Sequence, residues 1–104
     1  PYKKGTENYE NWKKHYSGAT GLFSVFIYSK NRNSILKFVN SLKLFGIGQS
    51  WGGFESLVLY QNHTLSRVYK KYIKKNHHII RFHIGLEDPK DLILDLKKAL
   101  RNIK

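Results

Sequence analysis

The chain has 104 residues, 40% of them apolar, no cysteine and a formal net charge of +12. That length suits one compact domain with a modest core, and no stretch approaches the roughly 20 apolar residues a membrane span needs, so no membrane partner is expected. Without cysteine there are no disulfides or thiolate metal sites, and a cytoplasmic location is the default expectation.

The charge raises nucleic acid as a partner. Of the 19 basic residues, however, 15 are Lys and only four are Arg. With Asn, Ile, Tyr and Phe also abundant, that is the pattern of a solvated surface encoded by an AT-rich genome. DNA binding is expected to be weak, salt-dependent and not sequence-specific. The opening PYKKGTENYENWKKHY has no apolar signal region, and a chain that starts at Pro1 and holds no Met reads as a piece of a longer protein.

Residues 1–20 read as a lead-in segment with a helical turn around Asn8–His15, and residues 21–104 as the domain proper. Phe23–Ser29 (FSVFIYS) is β-branched and aromatic, the signature of a strand. Asn31–Ser34 (NRNS) is a turn that supplies an N-cap. Ile35, Phe38, Val39 and Leu42 then recur on one helical face, in a helix ending near Leu44 with Gly46 placed for a left-handed cap. Ile47–Gly53 (IGQSWGG) reads as a short strand entering a glycine bend, Glu55–Tyr60 (ESLVLY) as a strand, Gln61–Asn76 as loop or irregular helix, and His78–Ile84 (HIIRFHI) as a strand. Asp88 and Pro89 open the clearest helix, as N-cap and first helical residue. Its apolar face is Leu92, Ile93, Leu96, Ala99, Leu100 and Ile103. The strands lie too close together for a crossover helix between each pair. The expected fold class is therefore α+β: a mostly antiparallel sheet of three or four strands with helices on one face.

Two segments carry chemistry, Gln49–Leu57 (QSWGGFESL) and Ile80–Asp95 (IRFHIGLEDPKDLILD). Gly52-Gly53 permits backbone angles closed to other residues, which would let Ser50 and Trp51 turn backbone and indole N–H groups toward a ligand. Arg81 interrupts an apolar strand, where a charge is costly unless paired. A guanidinium beside N–H donors is a carboxylate receptor, because its fork matches both oxygens. A plainer reading stands beside this one: an ordinary glycine bend, a core Trp51, and Arg81 paired with Glu55 or Glu87. His83 follows Arg81 by two and shares its face. His77 and His78 point to opposite faces. None of the five histidines, His15 and His63 included, has zinc-ligand spacing. Asp88, Asp91 and Asp95 are read as cap and dipole partners of the last helix. The run Tyr69–His78 (YKKYIKKNHH) interleaves basic and aromatic residues and is the best candidate for phosphate contacts, though a solvated loop accounts for it as well.

SWGGFESL followed by IRFHIGLEDPKDLILDLKKAL resembles the C-terminal signature of the Cys/Met-metabolism group of PLP-dependent enzymes. HYSGATGLFSVFI (His15–Ile27) and LFGIGQSWGG (Leu44–Gly53) extend the likeness upstream. Trp51, with Gly-Leu-Phe before it and His-Ile-Gly-Leu-Glu-Asp after it, is similar to the bacterial cystathionine β-lyase branch. The γ-branch usually has a small aliphatic residue at that place. The resemblance implies the small C-terminal domain of an aspartate-aminotransferase-type (fold type I) enzyme. It implies a complete enzyme that uses pyridoxal 5'-phosphate to convert cystathionine, an amino-acid thioether, to homocysteine, pyruvate and ammonia in methionine biosynthesis. It implies that Arg81 binds the substrate α-carboxylate with help from Ser50 and Trp51, and that Gln49, at a variable position often occupied by Tyr, lies near the substrate side chain. The cofactor-binding lysine and phosphate motifs of the group lie on its large domain. The partners implied are thus an N-terminal PLP domain and a second copy in a homo-oligomer. The chain alone is expected to be inactive and to bind neither PLP nor metal. The alternative is a stand-alone basic domain that binds nucleic acid non-specifically.

Overall fold

A computed structural model describes residues 2–61 and 73–104. Most of Gln61–Asn76, the first four residues of the basic run and His63 lie outside the described residues. The elements are α1 (Glu7–His15), β1 (Leu22–Tyr28), α2 (Arg32–Ser41), β2 (Gly46–Ile47), β3 (Leu57–Tyr60), β4 (His77–His83) and α3 (Pro89–Leu100). The sheet order is β1-β4-β3-β2. β4 is antiparallel to both β1 and β3, while the short β2 runs parallel to β3. This is the expected α+β architecture.

The helical turn foreseen in the lead-in is a nine-residue helix, α1. The Thr6 hydroxyl accepts from the Tyr9 amide at 3.3 Å. Glu7 and Glu10 stand in the first turn and Lys13, Lys14 and His15 in the last, as the helix dipole favours. No residue of α1 is buried, so cap and charge order hold it rather than a core.

Alternation along β4 divides the sheet into two faces. His78, Ile80 and Phe82 point into the core, opposite Ile27, Val25 and Phe23 of β1. Ile35, Phe38, Val39 and Leu42 pack there with Phe45, Val58, Leu92 and Ala99, so α2 and α3 close this face. His78 is satisfied inside it, with Nδ1 2.9 Å from the Tyr60 hydroxyl and Nε2 3.1 Å from the Ser29 carbonyl. His77, Ile79, Arg81 and His83 stand on the other face, level with Tyr28, Phe26, Ser24 and Leu22. No helix of the described residues is long and apolar enough to cross a membrane.

Both predicted caps are present. Asn31 Oδ1 accepts from Asn33 N at 3.0 Å, and Asp88 Oδ1 from Lys90 N at 2.7 Å. The end of α2 differs from expectation. The helix stops at Ser41, Leu42 turns extended, and Gly46 begins β2 with a negative φ in place of forming a left-handed cap. The cause is distant in sequence. The Asp95 carboxylate accepts from Lys43 N (2.9 and 3.1 Å) and Leu44 N (2.8 Å) and so catches the chain as it leaves the helix. Asp95 is thus a tie between α3 and the α2–β2 junction and not a dipole partner. It also displaces the apolar stripe of α3, where Leu92, Asp95 and Ala99 are buried while Ile93 and Leu100 are exposed. Asp95→Ala leaves these amides without their acceptor. It is expected to cost about 2–3 kcal/mol of stability by urea unfolding, and a loss under about 0.5 kcal/mol would show that water replaces the carboxylate at no cost.

Candidate functional site

The parallel β2–β3 pair dictates the shape of the site. Two parallel neighbours need a connection that returns to the starting end, which usually takes a dozen residues or more. Here residues 48–56 make the return. The segment runs beside β3 as far as Gly48, whose amide donates to Val58 O at 3.3 Å. It reaches the level of Arg81 at Gln49 and Ser50, reverses at Gly52 (φ +81°), and comes back past His83.

Arg81 projects from β4 on the face away from the helices, between Ser24 of β1 and Leu59 of β3. One guanidinium nitrogen donates to the Gln49 carbonyl and, at 3.5 Å, to the Ser50 carbonyl. The two motifs are thereby brought together as the sequence suggested, but through Gln49 and Ser50 carbonyls rather than amide donors. Trp51 is 64% exposed, so it is not a core residue, and among the described residues no hydrogen bond or cation–π contact joins it to Arg81. All seven acids of the chain fall within the described residues, and none pairs with Arg81. Glu87, one of the two acids considered for that pairing, is occupied elsewhere: its carboxylate accepts from Ser56 N at 3.0 Å and Ser56 Oγ at 2.7 Å. Arg81 therefore holds a positive charge with carbonyl partners only, on an apolar sheet face, and its fork still has N–H groups to offer a carboxylate.

Sequence reasoning missed the contacts that fix the returning segment. Gly85 N donates to Ser56 Oγ at 2.8 Å, Leu86 N to Phe54 O at 2.8 Å, and His83 Nε2 lies 3.1 Å from Gly53 O. His83 Nδ1 is buried without a partner, so the tautomer with the proton on Nε2, donated to Gly53 O, is the one that the surroundings favour. The available signal was a small polar residue, Ser56, two positions before Val58 and so on the same inward side of the strand. The hydrogen bonds from the Ser56 side chain and backbone, followed by one from its own backbone and the charge of nearby His83, hold the Glu87 carboxyl below its ordinary value of 4.5 against the opposing pull of desolvation. A carboxyl so lowered stabilises the fold fully above its unfolded pKa, and that contribution is lost as pH falls through the folded value. Glu87→Gln is therefore expected to be less stable than the parent chain at neutral pH. The gap should close as pH drops from about 5 to about 3, followed by urea unfolding across that range. A gap independent of pH would mean that Glu87 acts by shape alone.

Among the described residues no three His, Asp or Glu gather to hold a metal. One hollow of about 290 Å³ is lined by Lys37, Arg101 and Lys104 with Asn and Ser neighbours. It offers no acid for a pyridine nitrogen, and the Arg81 site offers no lysine. The described residues do not fit PLP.

Residues 1–101 match the family described as Cys/Met metabolism PLP-dependent enzyme. A cystathionine beta-lyase of Bordetella avium is 44% identical over 90 residues, which cover 86% of this chain and 22% of that protein. The cystathionine beta-lyase MetC of Escherichia coli (strain K12) is 36% identical over 106 residues, covering 99% and 27%. The crystal structure of cystathionine gamma synthase from Xanthomonas oryzae pv. oryzae in complex with cystathionine has the same fold, with a TM-score of 0.75 at 21% identity over 96% of this chain and 27% of that one. The chain thus spans about a quarter of the length of the proteins it matches.

Proposed function

Because the chain belongs to the Cys/Met metabolism PLP-dependent enzyme family, we propose that residues 21–104 are the substrate-carboxylate domain of a carbon–sulfur lyase whose remaining polypeptide holds PLP. The substrate is an amino-acid thioether, and the reaction is the β-cleavage of cystathionine to homocysteine, pyruvate and ammonia. The observation that carries this reading is the guanidinium of Arg81, held by the carbonyls of Gln49 and Ser50 and paired with no acid of the chain. What Arg81 contributes is positioning: a carboxylate gripped by both oxygens leaves the rest of the amino acid little freedom to rotate. Identity to β-lyases over most of the chain supports β- over γ-cleavage.

The second sheet face supports the partner. Phe26 is 62% and Tyr28 55% exposed there, beside the half-buried Leu59 and Ile79. Apolar side chains grouped on one face mark a surface meant to be covered, and in this reading the PLP-holding part of the same polypeptide covers it. The enzyme is cytoplasmic and oligomeric in the same reading.

The test is a product assay on the complete polypeptide loaded with PLP. Release of pyruvate and homocysteine from cystathionine is expected. Release of 2-oxobutanoate and cysteine instead would assign γ-cleavage, and no product from a PLP-loaded enzyme would sink the lyase reading. The chain by itself is expected to retain no visible cofactor absorbance after dialysis.

A further inference from the structure

We propose that Glu87 and His83 are positioning residues for the Arg81 site: with Ser56 they fix the returning segment against β4 and so set where Gln49 and Ser50 stand relative to the guanidinium. The inference rests on the carboxylate reading of Arg81. Its basis is the order of contacts between the two motifs. Going along β4 and beyond it, Arg81 meets Gln49 and Ser50, His83 meets Gly53, Leu86 meets Phe54, and Gly85 and Glu87 meet Ser56. The two motifs are thus joined along their length, from Arg81 at Gln49 to Glu87 at Ser56.

Ser56 is the centre of this fastening. It is 1% exposed, and every polar group on it is used. Its amide and hydroxyl donate to Glu87, its hydroxyl oxygen accepts from Gly85, and its carbonyl accepts from Gly46 N at 2.9 Å. The two bonds to Glu87 end on a charged acceptor and are the strong members of the set. Residues 49–52, by contrast, are exposed, and among the described residues the side-chain hydrogen bonds that reach them from the body of the domain come from Arg81. An arriving carboxylate competes for that same guanidinium. Once Arg81 turns to the ligand, the Glu87–Ser56 and His83–Gly53 bonds are what keep the segment from drifting. Neither residue touches the ligand; both act through the loop.

The experiment uses the complete PLP-loaded enzyme with four variants: Glu87→Gln, His83→Ala, Arg81→Ala and the Arg81→Ala/Glu87→Gln double. Glu87→Gln keeps shape but loses the charge, and it is expected to raise KM for cystathionine about tenfold with kcat nearly unchanged. A purely structural role would lower the active fraction, and with it apparent kcat, while leaving KM alone. His83→Ala should shift KM in the same direction. In the double variant the Glu87 effect should largely vanish, because the site it positions is gone, whereas additivity would mean that Glu87 acts independently. Unchanged KM in Glu87→Gln, or additive effects, overturns the proposal while a damaged Arg81→Ala leaves the carboxylate reading standing. An Arg81→Ala enzyme with normal KM and kcat removes the carboxylate reading, and the positioning proposal with it.

Discussion

Arg81→Ala in the complete enzyme is expected to lower kcat/KM for cystathionine by an amount on the order of 3–5 kcal/mol in transition-state binding, the cost of removing one partner from a desolvated ion pair. Arg81 is only half-buried in this chain, so the full figure requires that the PLP-holding part of the polypeptide exclude water from the site. Arg81→Lys keeps the charge and loses the planar fork. It should recover part of the loss, since a point charge binds one oxygen well and fixes orientation poorly. Cofactor loading and folding should survive both changes, because the carbonyls of Gln49 and Ser50 lie at an exposed loop and can turn to water. The check is steady-state kinetics with PLP content measured beside it. Activity near wild type in the Ala variant excludes the carboxylate role, and loss of folding would instead make Arg81 a structural residue.

Gly85→Ala is expected to be the most damaging glycine-to-alanine change in the chain. A Cβ at this position would sit 2.1 Å from the Phe54 carbonyl oxygen and 2.6 Å from the Glu55 carbonyl carbon. Both are backbone atoms, so no rotamer change relieves the clash and the two segments must separate. Separation strains or breaks the Leu86–Phe54 and Gly85–Ser56 hydrogen bonds. Overpacking with lost hydrogen bonds puts the cost at about 2–4 kcal/mol, read by urea unfolding. A change below about 0.5 kcal/mol would show that the segments part readily and that the fastening around Ser56 is weaker than its distances imply.

The sequence is legible where the physics is local. Asn31 and Asp88 cap their helices because a side chain one or two residues from an orphan amide needs no tertiary contact to find it. Alternation placed Arg81 and His83 on one face and His78 on the other. The failures share a different origin. The end of α2 is set by Asp95, 52 residues from Lys43, and the exposed side of α3 follows from that same buried acid occupying the stripe. Glu87 stands six residues from Arg81, but its partner is Ser56, 31 residues away. Such pairings leave no period in the sequence. The likeness to a known family could nominate Arg81, Ser50, Trp51 and Gln49, yet it could not say that the carbonyls of Gln49 and Ser50 would face the guanidinium.

The antiparallel β3–β4 pair runs from Leu57 opposite His83 to Tyr60 opposite Ile80. Ser56 and Gly85 continue from the first of these ends, whereas the polypeptide between the two strands departs from the second. A change in length at that departure therefore enters at the opposite end from Ser56 and does not shift Glu87 against it. The span from Gln61 to Asn76 can drift in length and composition, accumulating lysine or losing it, while the recognition end keeps its geometry. Insertions of several residues there should be neutral for substrate affinity, whereas a single residue inserted between Ser56 and Leu57, or between His83 and Gly85, would put the two motifs out of step.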